Sequence, residues 1–472
     1  MKEAALKSRT SIVARNSGWG NVIDALPHGL MGTPQFVSVL TLIYVHLWII
    51  EGAVRKWVPG TEQIMYIARD AIMVAGLMVI VLFSRVRNRK SGIFLWLLAL
   101  LLVILCGIQV ISGVVSLKVA VVGLRSYLAP ILLAYAVWIH GGVDLLTKVT
   151  RVIIFYAPVE LALAAAQVMS SKSAWINKEV GSDVAYFVNG SIVRASGSFS
   201  APSGLTLYVP LSLAACLWVL HQRRHRKFLA IIALVSAPII TLISGARGTV
   251  LAFSVVLCAY GVYQLLLRRG AGVRNVVLIA FLTLGLYFVA SSIFPAVFES
   301  FFARFDNASR SEDTGDRVLS QIFDFALVSP TLLGEGAGSH SMAGISVGSA
   351  GPWIETESLK WVAELGFFGT ILAYTRIVAC LGLCVALVLR FKDRPLASVL
   401  LAACLVPVVL YGQITQFPSA QAFFSICMSM LILSFRFMGD QNTRDCAGTL
   451  PATTGFSSGP NDAGSGSGRI CN

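Results

Sequence analysis

Four arginines have positions suited to holding a phosphate-bearing ligand: Arg125, Arg194, Arg247 and Arg317. A guanidinium group stays charged at all relevant pH values, and its fork of N–H donors binds two phosphate oxygens together. Arg125 lies inside an apolar run, where insertion of an arginine costs about 2.5–3.5 kcal/mol, so it should face a polar cavity or a partner. The alternative for each arginine is contact with lipid headgroups or pairing with an acidic side chain.

Three side chains are candidates for a general base that removes a proton from a hydroxyl group. Glu355 and Glu357 lie just before an apolar run, and a carboxylate there is able to act as a base in poorly hydrated surroundings. His340 is the only histidine in the predicted outside loops. A single loop histidine is more often structural, so the two glutamates are favoured over His340.

Metal and nucleotide sites are not predicted. Cys380 and Cys384 are four residues apart on a predicted helix, but no histidine or further cysteine joins them, so packing explains them better. The glycine-rich segment 334–338 lacks the Gly-Lys-Ser/Thr of a phosphate-binding loop and is interpreted as a flexible turn. The sequence therefore predicts chemistry without a metal or a cofactor.

The elements that must position these residues are apolar helices. Of 472 residues, 56% are hydrophobic and only 13% are charged. Soluble domains carry about 25% charged residues, and disordered chains combine low hydrophobicity with high charge, so both classes are excluded. The net charge of +14 would suggest nucleic acid in another chain. Here it is better explained by the excess of basic residues in the cytoplasmic loops of membrane proteins, and no nucleic-acid partner is expected.

Twelve apolar stretches are long enough, or nearly so, to cross a membrane as helices. Together they predict an all-α, polytopic transmembrane bundle with a large, partly helical periplasmic loop before the tenth span. The stretches are 35–50, 64–83, 93–112, 119–138, 152–169, 203–220, 228–244, 248–266, 275–294, 359–389, 396–411 and 420–436.

The basic loops predict the orientation. Twelve spans place the basic segments 84–90, 221–227, 268–274 and 390–394 on one side, together with both termini, and the positive-inside rule makes that side the cytoplasm. The predicted division is a cytoplasmic segment 1–34, a transmembrane domain 35–437 and a disordered cytoplasmic tail 438–472. Two long loops, 170–202 and 295–358, then face the outside.

Three segments in this order between apolar runs resemble the motifs of a known family. They are Arg194–Gly204 (RASGSFSAPSG), Ser244–Gly248 (SGARG) and Glu355–Gly369 (ETESLKWVAELGFFG). With the predicted spans they resemble the O-antigen polymerase and O-antigen ligase superfamily of bacterial inner-membrane glycosyltransferases of the GT-C type, over roughly residues 95–435. Many members carry a His-Asn pair where this chain has Glu355 and Thr356.

The resemblance implies transfer of a glycan from undecaprenyl diphosphate on the periplasmic face, without metal or cofactor. Arg194 matches the loop arginine and Arg247 the arginine of the tight turn, both of which hold the diphosphate in the family; Arg125 resembles a further one. Implied partners are the lipid-linked oligosaccharide, the bilayer, and the chain-length regulator and flippase of the same pathway.

A polymerase is favoured, and a ligase that transfers the glycan to lipid A-core is the first alternative. The second alternative is a secondary transporter. Its weakness is that the predicted spans contain few acidic residues for ion coupling: Asp70, Glu160 and Glu364.

Overall fold

The structure is a computed structural model. It describes residues 33–83, 89–182, 184, 187–189, 192–222, 227–299, 301–303, 314–389 and 395–448. Nearly all of the predicted cytoplasmic segment 1–34 lies outside the described residues. So do residues 449–472 of the predicted tail and most of the basic segments 84–90, 221–227 and 390–394.

The described chain is an all-α structure with two very short strands. The helices are α1 (Thr33–Trp57), α2 (Glu62–Phe83), α3 (Arg89–Ile111), α4 (Leu117–His140), α5 (Val143–Met169), α6 (Pro202–His221), α7 (Phe228–Ile243), α8 (Arg247–Ile293), α9 (Thr314–Phe323), α10 (Met342–Ser346), α11 (Glu357–Leu365), α12 (Phe367–Leu389), α13 (Leu396–Tyr411) and α14 (Pro418–Gly448). Strands β1 (Val188–Asn189) and β2 (Ile192–Val193) pair antiparallel, Val188 opposite Val193. Helix α14 continues into the first residues of the segment predicted to be disordered.

The helices confirm a multi-pass membrane protein. Among the described residues, eight helical segments are long and apolar enough to cross a membrane, and three further apolar helices are shorter. The figure of twelve spans stays a prediction, as do the periplasmic assignment of the long loops and the side on which the termini lie.

Helix α8 is 47 residues long, and it contains the basic segment 268–274 that was predicted to be a loop. A Cβ atom placed on Gly261 would lie 4.0 Å from the Cγ1 atom of Val276. Fifteen residues along a straight helix would separate these positions by about 22 Å. The chain therefore turns back on itself between them, and the halves Arg247–Leu267 and Gly272–Ile293 form an antiparallel pair.

The centre of the bundle is α6, and α5, α7, α8, α13 and α14 surround it. In the apolar part of α6, 72% of the residues are buried, against 6% in the second half of α8. Exposed apolar side chains cover α3, α8 and α12. A helix that exposes leucine, valine and phenylalanine along its length is typical of contact with lipid tails.

Candidate functional site

The loop that follows Arg194 is held in place by polar side chains of the membrane helices. The Arg194 amide donates to Phe187 O at 2.9 Å, which closes the small hairpin ahead of the loop. Gln167, buried near the end of α5, accepts from the amides of Ser196 and Gly197 at 2.9 and 2.8 Å and donates to Gly197 O at 3.0 Å. One glutamine side chain therefore satisfies three backbone groups of a buried loop that has no secondary structure of its own.

Two buried charges complete this support. Glu160 of α5 accepts from the Ser198 amide at 3.0 Å, and its other oxygen contacts the Ser198 hydroxyl. Lys56 of α1 donates to Ser196 Oγ at 3.0 Å and to Gly197 O at 2.9 Å. Both side chains are almost fully buried. Glu160, an isolated acid in its predicted span, thus binds a loop.

The end of α1 packs directly on the same loop. A Cβ atom on Gly52 would lie 2.1 Å from Ser200 N, so the helix and loop backbones touch. Gly52 and Lys56 are one helical turn apart and face the loop together. Glu51 pairs with Arg55, one helical turn away, at 3.0 Å and with Arg69 at 3.0 Å.

Two helix N-termini lie side by side, and one of them begins at Arg247, a predicted diphosphate ligand. Helix α6 begins at Pro202, eight residues after Arg194, and α8 begins at Arg247. Thr206 Oγ1 and Thr249 Oγ1 are 2.9 Å apart, so the start of the second turn of α6 touches the first turn of α8. The N-cap residues are Ala201 and Ala246, and an alanine side chain cannot cap a helix. Pro202 has no N–H, and the Gly204 and Thr249 amides donate to Ala201 O and Ala246 O at 3.0 and 3.1 Å. The positive ends of the two helix dipoles still favour an anion beside them.

A second polar cluster surrounds α11. Glu357 is 1% exposed. Its Oε1 atom accepts from the Thr415 amide at 2.7 Å and from Trp361 Nε1 at 3.0 Å. Lys360, fully buried, donates to Thr415 Oγ1 at 2.9 Å and lies 3.2 Å from Glu364 Oε2. Glu357 is therefore fixed by the segment between α13 and α14 and is closed to solvent.

His340 joins this cluster through Glu364. Its amide donates to Glu364 Oε1 at 3.0 Å. Its Nδ1 lies 2.8 Å from Pro352 O, and its Nε2 lies 2.8 Å from Glu335 Oε2. A carbonyl oxygen only accepts, so Nδ1 donates to Pro352 O and Nε2 faces the Glu335 carboxyl group. Because the Glu335 side chain is 64% exposed, the pair connects the buried cluster to solvent.

The glycine-rich turn is packed, and the prediction of a flexible turn is wrong. Gly334, Gly336 and Gly338 all have positive φ angles, which favour glycine. A Cβ atom on Gly338 would lie 2.6 Å from Val119 O, and one on Gly334 would lie 2.5 Å from the backbone of Glu364. These close approaches to α4 and α11 place His340 and Glu335 at fixed positions.

The remaining predicted residues are in ion pairs. Arg125 Nε lies 2.8 Å from Asp70 Oδ2, so Asp70 of α2 pairs with α4. Arg317 Nη2 lies 3.3 Å from Glu355 Oε1, and both side chains are about half exposed. The structure thus joins one predicted phosphate ligand to one predicted base, on the surface.

One tryptophan connects the two clusters. The Trp48 ring centroid lies 5.5 Å from that of Phe199 in the Arg194 loop, and its Nε1 donates to Ser419 O at 3.1 Å. Ser419 is the second residue of α14 and lies four residues after Thr415. Both clusters therefore lie at one end of the bundle.

Several of the residues that organise these clusters were missed in the sequence: Gln167, Gln109, Lys360, Thr415 and Glu335. Two features of the sequence could have indicated them. A glutamine inside an apolar run needs a polar partner, and Lys360 lies four residues before Glu364, at the spacing of a helical ion pair.

Within the described ranges, no group of three or more His, Cys, Asp or Glu side chains is placed to hold a metal ion. No family model, curated protein or solved structure matches the chain.

Proposed function

We propose that this protein is a polymerase of a bacterial surface polysaccharide or exopolysaccharide. It transfers a glycan from undecaprenyl diphosphate to a hydroxyl of a lipid-linked repeat unit, at the periplasmic face of the inner membrane. The hydroxyl oxygen bonds to the anomeric carbon while the bond from that carbon to the diphosphate oxygen breaks. The diphosphate leaves with the electron pair, and the hydroxyl proton passes to a base.

The observation that carries this proposal is the pairing of the α6 and α8 N-termini beside Arg247 and the Arg194 loop. The leaving diphosphate gains negative charge as the bond breaks. Helix N-termini and guanidinium groups stabilise such charge, and they cost no reorganisation when they are already in place. Gln167, Glu160 and Lys56 supply that preorganisation, because they hold the loop between Arg194 and α6.

Of the candidate bases, the His340–Glu335 pair fits the chemistry best. His340 is held by its amide and by Nδ1, and Glu335 reaches solvent. A hydroxyl that approaches Glu335 transfers its proton to a carboxylate already aligned by an imidazole. Glu357, which both Thr415 and Trp361 hold, acts as a positioning residue in this proposal. Glu355 binds Arg317 at the surface.

The acidic residues of the membrane helices fit a transporter less well. Asp70 pairs with Arg125, Glu160 binds the Ser198 amide, and Glu364 pairs with Lys360. An ion-coupling path needs carboxylates that exchange protons or ions during transport. Carboxylates that anchor loops and neighbouring helices are not free to do so.

A deletion strain complemented with variants tests the proposal. Arg194→Ala and Arg247→Ala are expected to abolish long-chain polysaccharide, His340→Ala and Glu335→Gln to reduce it strongly, and exposed Arg151→Gln to restore it fully. Full restoration by both Arg194→Ala and Arg247→Ala would refute the site. Loss of attachment to lipid A-core with normal chain length would instead identify a ligase.

A further inference from the structure

The segment 314–332 has one polar side, which contacts the rest of the protein, and one apolar side. The side chains of the apolar side are exposed in the part of the chain that the structure describes. Arg317 of α9 binds Glu355. Leu319 and Phe323 lie roughly opposite Arg317, since two residues along a helix rotate by about 200°. Both are exposed. An amphipathic helix of this kind has one side suited to protein contacts and the other suited to an apolar environment.

The exposed apolar surface continues past the helix. Leu327 is 87% exposed and Leu332 is 79% exposed. Between Phe323 and Leu327, Phe325 is buried, and its ring centroid lies 4.9 Å from that of Tyr374 in α12. The segment is therefore anchored by Phe325 and directs its other apolar side chains outward. We name Leu319, Phe323, Leu327 and Leu332 the apolar rim.

The apolar rim is continuous with the lipid-facing surface of α12. The Phe367 amide, at the start of α12, donates to Thr331 O at 2.9 Å, beside Leu332. Helix α12 is a candidate membrane span, and it exposes Phe367, Ile371 and Val378. One apolar surface thus extends from a membrane span onto the segment beside its end. Apolar surface of this extent in contact with water is uncommon in proteins.

We propose that the apolar rim is embedded in the lipid leaflet around the start of α12, so that segment 314–332 is an interfacial membrane anchor. Leu327 and Leu332 contact acyl chains, whereas Arg317 and Glu355 stay on the protein side. An amphipathic helix at the interface buries its apolar side to about 5–10 Å and keeps its polar side among headgroups and protein. The proposal is independent of the polymerase function.

Spin labels test this directly. Leu327→Cys and Leu332→Cys are prepared in a full-length background in which the accessible or tail cysteines Cys258, Cys384, Cys446 and Cys471 are replaced by alanine. Each variant is spin-labelled, reconstituted in nanodiscs with one copy per disc, and examined by EPR power saturation with oxygen and with Ni-EDDA. Val378→Cys serves as the lipid control, and exposed Ala350→Cys as the water control.

Both rim labels are expected to resemble the Val378 label, with high oxygen accessibility and low Ni-EDDA accessibility. Labels that resemble the Ala350 label would overturn the proposal, because the rim would then lie in water. Labels protected from both reagents would also overturn it, because protein and not lipid would cover the rim. Circular dichroism of the labelled variants checks that each is folded.

Discussion

Replacement of Gly197 by alanine tests how the Arg194 loop is held. Gly197 has a φ angle of +57°, and a Cβ atom there would lie 2.0 Å from Glu160 Oε2. An added methyl group therefore does two things: it strains the backbone, and it pushes the Glu160 carboxylate away from the Ser198 amide. Gly60 offers a matched control, because its φ angle is +78° with no atom within 4 Å of the added Cβ.

The two effects have separate magnitudes. A left-handed backbone costs a residue other than glycine about 1–2 kcal/mol. Displacing the carboxylate leaves the buried Ser198 amide without its acceptor, which costs about 1–3 kcal/mol. Gly60→Ala is therefore expected to lower the free energy of unfolding by about 1–2 kcal/mol, and Gly197→Ala by about 2–5 kcal/mol.

The assay is SDS-induced unfolding in mixed micelles, followed by tryptophan fluorescence, for both alanine variants and for each in a Glu160→Ala background. Without the Glu160 side chain, the cost of Gly197→Ala should fall to that of Gly60→Ala, and a double-mutant cycle measures the difference. Equal costs for Gly197→Ala and Gly60→Ala in the parent would refute the reasoning. So would an excess cost that persists in the Glu160→Ala background.

Three further substitutions test individual contacts by the same unfolding assay. Lys360→Met leaves the Glu364 carboxylate buried without its counter-ion and should lower the free energy of unfolding by about 3–5 kcal/mol. The control, exposed Lys118→Met, should lower it by less than about 0.5 kcal/mol. Equal costs would contradict a buried ion pair. Arg317→Ala breaks an exposed pair with Glu355 and should change stability by less than about 1 kcal/mol. A larger loss would contradict its surface placement. Trp48→Phe removes the hydrogen bond to Ser419 O and should cost about 1–2 kcal/mol, part of it lost packing; an unchanged stability would argue against the link between the two clusters.

The sequence was sufficient to predict the all-α membrane class and the location of most helices, because a span of apolar residues needs no partner to be recognised. Contacts one helical turn apart, such as the Glu51–Arg55 pair, follow from helix geometry and can be recognised by spacing. Helix α8 shows the limit of this approach. The basic segment 268–274 was identified as the place where the chain turns. Composition alone does not show whether the residues at such a turn are helical or form a loop.

The polar clusters could not be predicted in the same way. Gln167 contacts residues about 30 positions away, and Trp48 contacts Ser419 across most of the chain. Such contacts depend on which faces of distant helices meet, and apolar composition carries no information about those faces. The glycine-rich turn at 334–338 was misread for the same reason, because glycine marks a flexible turn and a close backbone approach equally well.

The central claim is that the paired N-termini of α6 and α8, with Arg194 and Arg247, bind a lipid diphosphate. Binding of undecaprenyl diphosphate to the purified full-length protein, measured by native mass spectrometry, tests it most directly. A hydrogen bond to a charged group contributes about 1.5–3 kcal/mol, so Arg194→Gln and Arg247→Gln should each weaken binding about tenfold or more, while Arg151→Gln leaves it unchanged. Equal affinity in the wild-type protein and in the Arg194→Gln/Arg247→Gln double variant would contradict the account.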